Sequence, residues 1–255
     1  MRVGSDPELF LKTPSGKHIS VIGKVGGSKE HPKPIFGMPE GFTLQEDNVA
    51  LELGMPPAAS KQQFVQNVRA AMLAGLKAVP GSRFSRLSCT VFSEDEMDHP
   101  AAWVFGCEPD YNAWTGRENE KPQSPNIFMR SAGGHIHIET QLDKLNVIRA
   151  CDVQLGLGSV LLDTEGVERR QLYGKAGAFR PKSYGVEYRT LSNFWIFRPK
   201  LIEWVWDRVE DVLTLCQQEW WMPNKLEASA IQRAINTGDR RLAESLIREF
   251  DVVMP

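Results

Sequence analysis

The chain has 255 residues, of which 42% are hydrophobic and 24% are charged, the balance of an ordinary globular protein. Its 30 lysines and arginines nearly match its 32 acidic residues, and the formal charge of −2 gives no global attraction to nucleic acid or to an anionic membrane. The four cysteines are widely spaced, which argues against a zinc ribbon or a disulfide framework and favours a reducing compartment. No apolar run approaches the length of a membrane span and the N-terminus lacks a signal-peptide core, so we expect a cytoplasmic protein.

The first predicted strand runs from Val3 to Lys12 and carries acidic side chains on one face. Because side chains alternate along a strand, Asp6 and Glu8 point the same way while the leucines take the opposite face. Pro7 has no backbone N–H, which indicates an edge position or the entry to a strand rather than a central strand. The glycine-rich stretch that follows contains Lys29, which is either a phosphate or carboxylate contact or part of a plain surface loop.

A second acidic strand is predicted over residues 43–54. Glu46 and Glu52 would share one face with an apolar row behind it, although a half-exposed strand with a polar outer face is the ordinary alternative. Ser60 begins a capping-box sequence, and it predicts a helix that ends at about Val79.

The motif Gly-Gly-His-Ile-His-Ile-Glu at residues 133–139 predicts the strand around which the chain is organised. Alternation puts His135, His137 and Glu139 on one face and the isoleucines in the core. The paired glycines leave room for a ligand or another backbone to approach. The aromatic, acidic stretch before it, residues 93–121, is either a substrate wall or a packed loop.

After this strand the sequence predicts a helix over residues 143–162 and then a basic, glycine-bearing loop over residues 168–182. Cations and backbone amides both stabilise phosphate oxygens, so such a loop suits polyphosphate, with a solvated basic loop as the alternative. In the strand that follows, Glu187 and Arg189 share a face.

From about residue 197 the chain is predicted to be helical, with helices over residues 197–218, 224–236 and 239–250. We find no internal repeat, linker or low-complexity segment. One α+β domain spanning residues 1–255 is the simplest account.

Four predicted strands each offer a carboxylate or a histidine on one face. These groups are Asp6 with Glu8, Glu46 with Glu52, His135 with His137, and Glu187. Oxygen-rich sites with an imidazole suit Mg²⁺ or Mn²⁺, and several arginines beside them are the equipment for phosphoryl transfer.

The order of these segments resembles the phage-type carboxylate–amine ligases, a branch of the glutamine synthetase and glutamate–cysteine ligase superfamily. The motifs that carry the resemblance are Gly-Ser-Asp6-Pro-Glu8-Leu-Phe, Glu46-Asp-Asn-Val-Ala-Leu-Glu52, Gly-Gly-His135-Ile-His137-Ile and Tyr-Gly-Lys175-Ala-Gly-Ala-Phe-Arg180-Pro-Lys182-Ser-Tyr-Gly-Val-Glu187-Tyr-Arg189. The similarity covers roughly residues 1–200. Asp6 stands where many relatives carry glutamate, and the chain is shorter than a glutamine synthetase, without its extra N-terminal domain. A shared ring assembly is therefore not assumed, and the oligomeric state stays open.

The resemblance implies a glutamine synthetase-like catalytic domain, with a curved, mainly antiparallel sheet and helices packed on one face. It also implies an ATP-dependent ligase that makes an acyl phosphate and then an amide, in the host cytoplasm if phage-encoded. Its cofactors would be ATP and two or more Mg²⁺ or Mn²⁺ ions, and its substrates a small-molecule or peptide carboxylate and an amine.

The resemblance also implies roles for particular residues. One cation would be held by Glu8, Glu52 and Glu46, and another by Asp6, His135 or His137, and Glu187. His135 is the favoured histidine because it directly follows the paired glycines, and His137 is expected at substrate or phosphate. The catalytic cations would be Arg180, Lys182 and Arg189, and the further ATP and phosphate contacts Arg170 and Lys175.

Three other classes compete with this interpretation. A metal-dependent hydrolase or a cupin-like binding protein would use the His-x-His motif, but no histidine follows His137 to complete a cupin site. A non-catalytic phage protein could retain the fold, and a guanidino kinase, which shares the broader fold, would phosphorylate nitrogen and release no amide.

Overall fold

A computed structural model describes residues 1–104, 109–121, 124, 126–218 and 223–255. The strands are β1 Val3–Ser5, β2 Glu8–Leu9, β3 Leu11–Lys12, β4 His18–Ile19, β5 Lys33–Pro34, β6 Thr43–Asp47, β7 Ala50–Gly54, β8 Arg83–Phe84, β9 Cys89–Val91, β10 Tyr111–Asn112, β11 Arg117–Glu118, β12 Met129–Ser131, β13 Ile136–Glu139, β14 Ala178–Lys182 and β15 Gly185–Tyr188. The helices are α1 Lys61–Ala78, α2 Glu94–Met97, α3 Lys144–Cys151, α4 Leu157–Leu162, α5 Val167–Leu172, α6 Pro199–Cys216, α7 Lys225–Thr237 and α8 Arg240–Glu249. Phe105 of the aromatic stretch and Cys107 lie outside the described residues.

The His-x-His motif lies in the central sheet, whose antiparallel strands follow the order β1-β13-β15-β14-β10-β11. In β13, Ile136 and Ile138 are fully buried, whereas His137 and Glu139 point to the other face. The alternation predicted for this strand is therefore confirmed.

Helices cover the isoleucine face of the central sheet. α3 packs against β14 and β15, and α6 packs against α1 and α3. Val186 and Tyr188 of β15 join the two isoleucines in this hydrophobic core, and both are fully buried. The predicted α+β class, with a mainly antiparallel sheet and helices on one face, is confirmed, and the opposite face of the sheet is left for polar side chains.

A second antiparallel sheet has the order β2-β7-β6-β5 and lies beside the first. The predicted single strand from Val3 to Lys12 is wrong, because it is divided among β1, β2 and β3, each in a different sheet. Pro7 lies at the first break, where it cannot donate to a strand partner. Asp6 therefore lies where the chain passes from the central sheet to the second.

The single strand predicted over residues 43–54 is also wrong: it is a hairpin of β6 and β7. The turn is Asn48-Val49, and Asn48 has a φ of 56°, a left-handed conformation that asparagine tolerates. A two-residue turn pairs odd positions of β6 with even positions of β7, so Gln45 lies opposite Glu52 and Glu46 opposite Leu51. Glu46 and Glu52 therefore do not share a face.

The predicted helices are confirmed. The Ser60 hydroxyl accepts from the Gln63 backbone N–H at 3.2 Å and begins α1. Asn224 and Glu227 form a reciprocal capping box at the start of α7. Asp239 caps α8 by accepting from the Leu242 N–H.

The helix predicted over residues 143–162 consists of α3, a π-helical segment at Asp152–Gly156, and α4. Contrary to the expectation from sequence, residues Lys144–Leu162 are long and apolar enough to cross a membrane, with a mean hydropathy of 1.3. However, 72% of this window is buried inside the protein, the pattern of a core helix.

The basic loop predicted over residues 168–182 is wrong in part. Its first residues belong to α5, and its last residues form β14 in the central sheet. Arg169 and Arg170 on α5 are both buried. Of this segment, Arg180 and Lys182 on β14 lie on the polar face of the sheet, beside Glu187.

Candidate active site

The floor of the candidate site is a row of cross-strand partners on the polar face of the central sheet. Gly4, His137, Glu187 and Arg180 follow one another across β1, β13, β15 and β14. Directly opposed residues have Cβ atoms about 5 Å apart, so their side chains interact. The missing side chain at Gly4 leaves open space at the β1 end of the row.

Asp6, His135 and Glu187 form the first group of ligand atoms, which all lie within 4.8 Å of one another. His135 Nδ1 lies 3.4 Å from Asp6 Oδ1 and 3.7 Å from Glu187 Oε1. Asp6 and Glu187 each offer a buried carboxylate oxygen here. Two carboxylates and an imidazole this close together fit a Mg²⁺ or Mn²⁺ ion.

The paired glycines make this group possible. A Cβ at Gly133 would lie 2.2 Å from His135 Nε2, and a Cβ at Gly134 would lie 2.4 Å from the Ser192 carbonyl oxygen. The Gly133 N–H donates to Glu8 Oε2 at 2.7 Å. The sequence predicted that a ligand or another backbone segment lies close to these glycines. At Gly134 it is another backbone segment, that of Ser192, and the Gly133 N–H holds Glu8 in place.

Glu8, Asp47 and Glu52 form the second group, again with ligand atoms within 4.8 Å of one another. Glu8 and Glu52 are directly opposed on β2 and β7, and the Gln45 side-chain amide donates to Glu52 at 2.8 Å. Burial and the Asp47 charge raise the pKa of Glu8 to about 7. Burial and the neighbouring carboxylates raise the pKa of Glu52 well above its ordinary value. Such crowded carboxylates fit a divalent cation, which would relieve their repulsion.

Glu46 does not belong to either group. Its carboxylate accepts backbone N–H bonds from Gly23, Val25 and Gly26 at 2.7–3.0 Å and so holds the glycine-rich loop. The hairpin turn is the reason, because it puts Asp47 on the face where Glu46 was expected. Sequence reasoning missed Asp47, although Asn48 between two apolar-alternating runs was the signal for a turn.

Three cations surround Glu187. Arg189 forms a very short ion pair with it, Lys182 Nζ lies 2.9 Å from its Oε2, and Arg180 Nη1 lies 3.6 Å from its Oε1. Burial and Asp6 raise the pKa of Glu187, but Arg189 and the two histidines outweigh them and bring it to about 2. The structure thus brings together the three cations that the resemblance placed at the transferring phosphoryl group.

The two histidines differ in their surroundings. Burial and the Arg189 charge lower the pKa of His135 to about 4, so its ring is neutral and can offer a lone pair to a metal ion. His137 lies farther out: its Nε2 is 3.0 Å from Asp6 Oδ1, and its Nδ1 makes a very short contact with the Tyr184 hydroxyl. His135 rather than His137 belongs to the first group of ligand atoms.

Arg170 is not brought to the floor of the site, because its guanidinium donates to the hydroxyl and carbonyl oxygens of buried Ser159. The Lys175 backbone carbonyl accepts from the Thr190 hydroxyl, and the contact of its side chain with ATP stays a prediction. Instead, the neighbouring Arg169 donates to the carbonyls of Arg189 and Thr190 at 3.1 and 2.9 Å. These bonds hold the backbone that carries the Arg189 side chain. In a basic run, nothing in the sequence distinguishes Arg169 from Arg170.

Asp152 is a buried carboxylate behind the site. It accepts from Trp114 Nε1 at 2.6 Å and from the Tyr188 hydroxyl at 2.8 Å. Because Tyr188 adjoins Glu187 on β15, this network fixes the strand that carries Glu187. Trp114, which lies in the stretch that could have been a substrate wall, is therefore a packing residue.

Comparison with known families gives one description for this chain. The family model described as "Phage phiEco32-like COOH.NH2 ligase-type 2" matches residues 126–252, which include β13, β14, β15 and the helices that follow. Comparison with curated proteins gives no significant match. His135, Glu187 and the three cations all lie within the matched segment. The chain belongs to the phage-type carboxylate–amine ligases.

Proposed function

We propose that this carboxylate–amine ligase uses ATP and forms its amide through an acyl phosphate. The observation that carries the proposal is that two groups of metal-ligating side chains meet where the two sheets adjoin, with His135 Nε2 4.0 Å from Glu8 Oε1. Three cations surround Glu187 of the first group. Metal-ligating and basic side chains are the groups that phosphoryl transfer requires, because divalent cations bridge phosphate oxygens and arginine or lysine offsets the developing charge.

The chain's own residues would divide the work as follows. Glu8, Asp47 and Glu52 would hold one cation, and Asp6, His135 and Glu187 another. Bound there, the cations would polarise phosphate oxygens and offset their charge. Arg180, Lys182 and Arg189 would stabilise the transferring phosphoryl group.

The reaction balances in two steps. A substrate carboxylate oxygen attacks the γ-phosphorus, and the bond from that phosphorus to the bridging oxygen of ADP breaks. An uncharged amine then attacks the acyl carbon, a C–N bond forms, the C–O bond to phosphate breaks, and the nitrogen gives up one proton. The products are an amide, ADP and inorganic phosphate. The proposal places this reaction in the cytoplasm.

The alternatives fit the structure less well. A cupin closes its strands into a barrel-like sandwich, whereas the central sheet here is open, with β1 and β11 at its edges in the described part of the chain. A guanidino kinase would release no amide. A non-catalytic relative has no need to keep the crowded carboxylates of Glu8, Asp47 and Glu52, whose repulsion costs stability.

ADP release tests the proposal. The wild-type chain is incubated with ATP, Mg²⁺ and pooled amino acids and peptides, and the products are identified by mass spectrometry. We expect ADP together with a product that has lost one water relative to its two substrates. Glu8→Gln and Glu187→Gln should lower ADP formation at least about 100-fold with unchanged circular dichroism, and Arg241→Met, exposed on α8, is the control. Full turnover by either glutamine variant would refute the assignment.

A further inference from the structure

A cleft of about 360 Å³ runs along the polar face of the central sheet, at the β1 edge. Its inner end is formed by Asp6 and His137, and its outer end by Arg2 and Glu139. Since His137 and Glu139 lie two positions apart on β13, the cleft follows one strand face from the protein surface toward His135. It therefore leads directly to the first group of ligand atoms.

The inner end of the cleft is formed by a carboxylate and an imidazole. Asp6 Oδ1 lies 3.0 Å from His137 Nε2, and both atoms are buried. The carboxylate at this end favours a group that donates hydrogen bonds or carries positive charge, such as an amine.

The outer end of the cleft offers the opposite charge. The Arg2 guanidinium lies 3.8 Å from Glu139, and both side chains are largely exposed, at 62% and 47%. Such an exposed, long ion pair contributes little free energy, so Arg2 can turn to another carboxylate at small cost. A guanidinium suits a carboxylate because it can bind both oxygens at once.

The walls between these ends are formed by uncharged residues. Gly4, Met55, Pro57 and the Tyr184 ring line them. The volume lies at the lower end of the range for small-molecule sites, which suits an amino acid or the end of a peptide.

We propose that this cleft binds the amine substrate, and that this substrate is an amino acid or peptide end with its own carboxylate. The amine enters first and lies beside Asp6 and His137, and its carboxylate remains at Arg2. The proposal rests on the ligase function above, and it adds the class of the amine and the path by which it enters.

Gly4 gives a precise probe of the cleft. A Cβ at this position would lie 3.6 Å from His137 Cβ and 3.8 Å from Pro57, which are ordinary van der Waals distances. Gly4→Ala should therefore fold normally while narrowing the cleft, and Gly4→Val should block it.

Ligand-detected NMR with the full chain and Mg²⁺ tests the proposal. The common amino acids are screened one by one, and the tightest binder is compared with two matched compounds, the amine that lacks its carboxylate and the acid that lacks its amino group. We expect the amino acid to bind about tenfold more tightly than either. Arg2→Met should remove about tenfold for the amino acid and nothing for the simple amine, and Gly4→Val should abolish both. Arg241→Met is the matched control and should bind like wild type.

The results that would refute the amine site differ from the result that would refute the ligase mechanism. Binding of the acid without its amino group as tightly as the amino acid, binding that survives Gly4→Val, or no amino acid binding at all would each refute it. Mn²⁺ binding, followed by electron paramagnetic resonance, is measured on every variant and should not change. Absence of Mn²⁺ binding in the wild type would instead refute the proposed ligase mechanism, whatever the cleft binds.

Discussion

Close packing at single residues decides where the ligand atoms of this site lie. His135 could be selected from the sequence because it follows two glycines, but the sequence cannot show that its own ring occupies the space above Gly133. Likewise, Arg169 and Arg170 are adjacent cations on α5, and only the packed structure shows that Arg169 supports Arg189 while Arg170 contacts Ser159. Residue type and spacing predict the chemistry here, and packing selects the residue.

The Gly133→Ala variant tests this packing. The added Cβ would meet His135 Nε2 at 2.2 Å and Arg169 Nη2 at 2.8 Å, so the histidine must leave its position. We expect a loss of about 1–3 kcal/mol in the free energy of unfolding and at least about a 100-fold loss of ligase activity. Denaturant unfolding and turnover measure the two effects. Gly4→Ala is the control for stability, and an active Gly133→Ala enzyme would show that His135 need not be held there.

Asp152 gives a prediction for pH. Burial raises its pKa from 3.8 to about 7, despite the hydrogen bonds from Trp114 and Tyr188. Between these two values the folded chain keeps a proton that the unfolded chain has lost, so this group removes stability as the pH rises through the window.

Asp152→Asn cannot ionise, so its stability relative to wild type should improve as the pH rises from about 4 to about 7.5, by roughly 2–4 kcal/mol. Urea unfolding in the presence of EDTA measures this difference. Glu244→Gln, exposed on α8, is the control and should show no such trend. A constant difference between Asp152→Asn and wild type across this range would contradict the account.

At the scale of elements, period-two alternation predicted β13 correctly because that strand is regular and pairs on both sides. The same rule failed for residues 43–54, where a two-residue turn exchanges the faces of β6 and β7. The alternation of one strand does not continue through a turn into the next. Because the turn was not predicted, Glu46 was expected on the face of Glu52, where Asp47 lies.

A pair of variants on this hairpin separates the two carboxylates. Asp47→Asn removes one charge from the group with Glu8 and Glu52 and should weaken Mn²⁺ binding there at least about tenfold. Glu46→Gln should leave Mn²⁺ affinity unchanged and instead loosen the loop around Val25, whose N–H it accepts. Mn²⁺ titration and amide hydrogen exchange measure the two effects, and the reverse pattern would show that the hairpin register is not what sets the ligands.

At the scale of the whole molecule, the site depends on residues that are far apart in the chain. Gly133 holds Glu8, and the Asn193 side-chain amide donates to the Glu8 carbonyl at 2.8 Å, so the start of the chain is tied to the segment after β15. The order of acidic strands and the cation-rich strand let the sequence predict that these segments meet. It could not predict that they meet across two separate sheets, because strand pairing between distant segments depends on the packing of the entire core.

This arrangement accounts for a ligase rather than a simple metal-binding protein. The two groups of ligand atoms meet where the two sheets adjoin, with the cations around Glu187 beside them, and the cleft at the β1 edge reaches Asp6 of the first group. In the proposed mechanism, phosphoryl transfer and amine attack would therefore occur at one place.

Oxygen-isotope transfer tests the central claim most directly. The wild-type chain is incubated with ATP, Mg²⁺ and pooled amino acids and peptides whose carboxylates carry ¹⁸O, and the released phosphate is examined by mass spectrometry. If the chain makes an acyl phosphate, each phosphate released with an amide product carries one ¹⁸O from the carboxylate. Amide formation with unlabelled phosphate would contradict the acyl-phosphate mechanism, and the absence of any ATP-dependent amide would contradict the proposed function itself.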